Sequence, residues 1–169
     1  GSDVGGYSGG ATPELFARWM GVGAVSPFFR GHVTSGVNDQ EPRLLWHNEE
    51  MEWAQVYDWS PDGKTVLAFL SKKDKTRFIT LINVSDGTTR VLKEFDEQQE
   101  ASWPREMKFS PNGDFIAYDF IQNNASFQRD INLLASDGSV ETSLVKHPSN
   151  DIFLGWMPDG NSIIFASDR

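Results

Sequence analysis

A five-residue turn signature occurs three times in this chain, as Trp59-Ser60-Pro61-Asp62-Gly63, Phe109-Ser110-Pro111-Asn112-Gly113 and Trp156-Met157-Pro158-Asp159-Gly160, at intervals of 50 and 47 positions. Repetition at a near-fixed period constrains a fold more tightly than composition does, because every copy must build the same local structure. Proline sets φ at the first turn position, and Asp-Gly or Asn-Gly supplies the positive φ that follows. Short apolar stretches flank each copy, at 56–59, 107–109 and 152–156 before it and at 66–70, 115–120 and 163–166 after it. Apolar runs on either side of such a turn predict a β-hairpin.

A second signature recurs in phase with the first. Ser85-Asp86-Gly87 is answered by Ser136-Asp137-Gly138, 51 positions later. Aligned on it, Thr80, Ile82 and Val84 match Ile131, Leu133 and Ala135, the alternation of a half-buried strand. Each unit then reads strand, Pro-Asp-Gly turn, strand, variable loop, strand, Asp-Gly turn, strand. Four strands in about 45–50 residues make a β-propeller blade. Two blades are expected near 51–95 and 100–147, with an incomplete third at 148–169. Propellers close with about four to eight blades. The expectation is therefore a fragment whose open blade edges favour self-association.

The stretches 58–64, 109–113 with Ile116-Ala117-Tyr118, and 163–169 resemble the WD-like propellers of the TolB type. That resemblance runs from about residue 44 to the last residue, 169. It implies the architecture, and a non-catalytic binding or interaction module whose ligand is an unidentified protein or glycan. It does not select the ligand, since propellers host many unrelated functions. A periplasmic or extracellular setting is the expectation for the parent propeller.

Composition narrows the function classes. Hydrophobic residues make up 38 % and charged residues 23 % of the chain, a globular profile. The net charge of −9, with no basic stripe, argues against nucleic acid as a partner. With no Cys, disulfides, a cysteine nucleophile and a Cys-based zinc site are excluded. No apolar run is long enough to span a membrane as a helix. His47 and His147 stand in no metal-ligand spacing, and neither a phosphate loop nor a Gly-x-Ser-x-Gly elbow occurs. No metal and no cofactor are expected.

Residues 1–42 show no blade pattern. Thr12 suits a helix N-cap, Pro13 the first helical position and Glu14 the first turn. Leu15, Trp19 and Val22, with Phe16 and Met20, keep helical spacing. A short buried strand is expected over 24–29 and a polar loop over 30–42. A Gly-rich loop, a helix and a strand follow the rhythm of a parallel (β/α)8 barrel.

Three stretches in this order, 1–9, Pro13-Glu14-Leu15-Phe16-Ala17-Arg18-Trp19-Met20 and Ser26-Pro27-Phe28-Phe29-Arg30-Gly31-His32, resemble family-31 glycoside hydrolases, the retaining α-glucosidases and α-xylosidases. The resemblance implies that Asp3 ends the seventh barrel strand and that His32 follows the eighth, both as substrate-binding residues facing the sugar. An Asp accepts hydrogen bonds from sugar hydroxyls and a His donates to them. Taken without the family, Asp3 reads as a solvated loop carboxylate and His32 as a surface histidine. A retaining glycosidase needs two carboxylates about 5 Å apart, and the resemblance puts both on earlier barrel strands. No catalytic residue and no hydrolase activity are expected of this chain. The expected domains are a partial barrel segment at 1–42 and a partial propeller at 43–169, joined without a linker as a chimera. The alternative is a fragment of a family-31 retaining α-glycosidase of carbohydrate metabolism.

Overall fold

The computed structural model describes residues 2–4, 29–31, 44–95, 103–121 and 128–169, the first two segments through their backbone. The chain divides into two units, Gly1–Leu44 and Leu45–Arg169. In the first, β1 (Ser2–Val4) and β2 (Phe29–Gly31) pair in parallel, with Asp3 opposite Arg30. Parallel neighbours need a crossover of a dozen or more residues, and residues 5–28 supply it. The helix expected from Thr12 lies outside the described residues. So does the expected strand, except at Phe29, where it meets β2.

In the second unit, β3 (Met51–Trp59), β4 (Thr65–Lys72), β5 (Arg77–Asn83) and β6 (Thr89–Phe95) form one antiparallel sheet in chain order. β7 (Met107–Phe109), β8 (Phe115–Ile121), β9 (Arg129–Ala135) and β10 (Glu141–Val145) form the next. β11 (Asp151–Trp156) and β12 (Ile163–Ser167) pair as a third, two-stranded sheet. These are the blades that the turn signatures predict, and among the described residues all regular structure is β.

The three turns close identically. Gly63 N donates to Ser60 O at 2.8 Å, Gly113 N to Ser110 O at 2.8 Å and Gly160 N to Met157 O at 2.9 Å. All three glycines have positive φ, between 69° and 80°, the left-handed region where a Cβ is costly. The turns also meet their neighbours. A Cβ on Gly113 would lie 3.3 Å from Pro61 Cδ and one on Gly160 3.5 Å from Pro111 Cδ, while one on Gly63 would meet nothing within 4 Å among the described residues.

β4 and β8 lie in the middle of their sheets and are covered on both faces, so their sequences are almost continuously apolar. Facing residues of the first two blades, including Leu67, Phe69, Phe95, Met107, Tyr118 and Phe120, make one core. In it Phe95 stacks on Phe120 with ring centroids 4.3 Å apart. Ala117, Ile131 and Phe153 seed a second core between blades two and three. The outside of blade one, with Val66, Leu70 and Phe78, packs against Leu45, Trp46 and Met51.

One sequence-based alignment needs correcting. Val66 pairs with Ile82 and Ile116 with Leu134, so Thr80 corresponds to Asn132 and Ile82 to Leu134, not to Ile131 and Leu133. Asn83 N–H to Thr88 O and Ala135 N–H to Val140 O, both 2.8 Å, close loops of equal length, but the Asp-Gly pair sits one position earlier in the second. Aligning on that pair slips the strand by one residue, which exchanges its two faces.

Candidate functional site

Asp3 lies in the middle of β1, paired with Arg30 of β2; His32 falls outside the described residues. Several of the described charged side chains lie instead between the blades. Asp58, at the end of β3, accepts the N–H of Phe109 at 2.9 Å and so ties blade one to blade two. Asp119, fully buried in β8, accepts from Arg105 N at 2.9 Å, Arg129 Nη1 at 2.7 Å and Phe153 N at 3.2 Å. Arg129 also donates to Trp103 O at 3.1 Å. Burial raises the Asp119 pKa, and the bonds from Arg105, Arg129 and Phe153 pull it back. These contacts hold adjacent blades together and leave Asp119 no free lone pair aimed at solvent.

Two clefts open between blades one and two. The first, about 310 Å³, runs between the turns and is lined by Ser60, Asp62, Arg90, Asn112 and Ser136. Arg90 crosses it to donate to Ser136 O at 2.6 Å and Asp137 O at 3.1 Å. The second, about 220 Å³, lies at the outer strands and is lined by Lys93, Asp130, Asn132, Glu141, Thr142, Ser143 and Lys146. Lys93 Nζ donates to Glu141 Oε1 at 2.5 Å and to Tyr118 OH at 3.0 Å, and the Tyr118 hydroxyl also bonds Glu141. Burial, then the Glu141 charge, raises the Tyr118 pKa far above its ordinary value. A phenol held this way does not serve as a base near neutral pH.

Sequence reasoning missed all of these groups. Their partners lie ten to 51 positions away, and a strand sequence does not show which blade it will face. Asp119 alone carried a signal, as one acid inside the apolar run 115–121. Among the described residues no group of three or more His, Asp or Glu is placed to hold a metal ion, and no described helix is long and apolar enough to cross a membrane.

Residues 1–58 match the model of the glycosyl hydrolases family 31 TIM-barrel domain. Alpha-glucosidase 2 of Bacillus thermoamyloliquefaciens is 50 % identical over 72 residues, which cover 40 % of this chain and 9 % of that protein. Neutral alpha-glucosidase C of Mus musculus is 50 % identical over 45 residues, covering 27 % of this chain and 5 % of that one. The chain thus spans less than a tenth of the length of these relatives. Among solved structures, TolB from Acinetobacter baumannii superposes with a TM-score of 0.51 at 23 % identity, over 69 % of this chain and 27 % of that one. An oligogalacturonate lyase in complex with manganese gives 0.57 at 14 % identity, over 75 % and 38 %. At such identities the likeness is one of fold. The family match ends at Asp58, inside β3, so all of the first strand of blade one except Trp59 lies within it. Residues 1–58 are similar in sequence to the family-31 glycoside hydrolase barrel, and the blades beyond them share the fold of TolB-type β-propellers.

Proposed function

We propose that this chain is a non-catalytic binding piece, in which a remnant of a family-31 barrel at 1–42 is fused to propeller blades at 43–169. The observation that supports it most directly is the change of sheet type along the chain. Among the described residues a parallel pair occurs only where the glycosidase similarity lies, and every later pair is antiparallel within a blade. Asp3 and His32 would be sugar-contacting positions inherited from the barrel, and the two carboxylates that a retaining mechanism demands would belong to strands this sequence does not hold. The propeller part would bind a protein or a glycan. Incubating the chain with an aryl α-glucoside tests the reading: no release of the aryl alcohol above the uncatalysed rate is expected, and turnover like that of ordinary glycosidases overturns it. The identity of 50 % over 72 residues favours one second reading, that the chain is a fragment of a family-31 α-glycosidase. That reading predicts weak binding of methyl α-glucoside that is lost in Asp3→Ala.

A further inference from the structure

The cleft of about 220 Å³ between blades one and two is built differently from the rest of that interface. β9 presents Asp130, Asn132 and Leu134 to blade one. By the pairing register, Asp130 and Asn132 occupy the places that Phe78 and Thr80 hold in blade one. A carboxylate therefore stands where the preceding blade buries an aromatic ring. Asp130 is 7 % exposed, lines the cleft, and has no hydrogen bond or ion pair among the described residues. Lys93, which could have neutralised it, is committed to Glu141 and Tyr118.

With no protein donor on it among the described residues, the Asp130 carboxylate is left to accept from a bound donor. At the exposed rim of the same cleft, Lys146 has no ion-pair partner among the described residues. Ser143, on the same face as Asn132, adds a hydroxyl. One enclosed acid and one open ammonium on a single small cleft call for a ligand carrying both charges in the opposite sense. The volume falls below the roughly 300–1,000 Å³ of sites for drug-sized ligands, so that ligand is small.

We infer that this cleft binds a small amino-carboxylate zwitterion, its ammonium on Asp130 and its carboxylate toward Lys146 and the Ser143 hydroxyl. The inference deepens the reading of the blades as a binding module and does not depend on the glycosidase similarity, so an aryl glucoside assay cannot decide it. The experiment is an NMR titration of the intact chain with glycine, β-alanine, 4-aminobutyrate and 5-aminovalerate, with butylamine and butyrate as single-charge controls. The expected result is saturable shifts at the Asn132 side-chain amide for at least one amino acid, at about tenfold higher affinity than either control. Asp130→Asn should weaken that binding about tenfold and Lys146→Gln severalfold. Lys146 is exposed, so its variant tests the site even if Asp130→Asn unfolds the blade. No saturable shift up to tens of millimolar overturns the inference. So does butylamine binding as tightly as the best amino acid, or an unchanged affinity in Lys146→Gln.

Discussion

Removing the Asp119 carboxylate should separate blade three from blade two more than any surface change could. Its two oxygens accept three hydrogen bonds, from Arg105 N, Arg129 Nη1 and Phe153 N. In Asp119→Ala the Arg129 guanidinium, its side chain 11 % exposed, keeps only the carbonyl of Trp103. The Phe153 amide, in a fully buried residue, is left without an acceptor. Breaking a buried ion pair from one side costs about 3–5 kcal/mol, and an orphaned amide about 1–3 kcal/mol. These overlap, because Ala also removes the cost of burying the acid, so about 3–5 kcal/mol is expected in total. That is a large share of the roughly 5–15 kcal/mol of a typical domain. Urea unfolding followed by tryptophan fluorescence measures it, and amide exchange at Phe153 localises it. A loss below about 1 kcal/mol, or exchange at Phe153 unchanged, would refute the view that this carboxylate joins the blades.

Three further outcomes follow from the same geometry. Gly63→Ala should cost about 1–2 kcal/mol from its left-handed backbone alone, whereas Gly87→Ala should cost clearly more, since its Cβ would lie 2.4 Å from Leu45 O; equal melting points for the two variants would contradict this. The Tyr57 hydroxyl donates to Pro104 O at 2.6 Å, and burial, then the Asp119 charge, push its pKa up to about 12. Its stabilising contribution is complete below the unfolded value of about 10 and is lost as pH rises through 12, so at about pH 11 the parent and Tyr57→Phe should show equal tyrosinate absorbance. Asp86 is held below the ordinary 3.8 by the Thr88 N–H and then by the Thr88 hydroxyl. That stabilisation is present above 3.8 and lost as pH falls through the lower folded value. The melting point of the parent should therefore fall faster than that of Asp86→Asn between about pH 5 and pH 2, and parallel curves would exclude the effect.

The blades were legible because their determinants are local. Pro61, Pro111 and Pro158 with their glycines fix turn geometry without reference to anything distant, and the apolar runs beside them state which strands are central. The faces were harder to read. Ser85-Asp86-Gly87 and Ser136-Asp137-Gly138 align by eye, yet the strands they follow align one residue further on, because the Asp-Gly pair slides within a loop of fixed length. That single step hid Asp130 and Asn132, which an alignment on the turn assigns to the opposite face. The groups joining the blades were illegible for another reason. Asp58, Asp119 and Lys93 find their partners across an interface whose register no single strand encodes.

The turn glycines and prolines also set how far apart the blades stand. Pro61 touches the turn of Gly113 and Pro111 that of Gly160, so each repeat carries both halves of the spacer that positions its neighbour. Pitch is thereby written into every repeat and not into the assembly as a whole. A blade could be excised or duplicated at its loops with the step between the survivors preserved. An Ala at Gly113 would instead lengthen that step by pressing a methyl group onto the Pro61 ring at 3.3 Å, whereas one at Gly160 would meet Pro111 in an ordinary 3.5 Å contact. The same substitution at Gly63, which touches no neighbouring turn, would leave it unchanged.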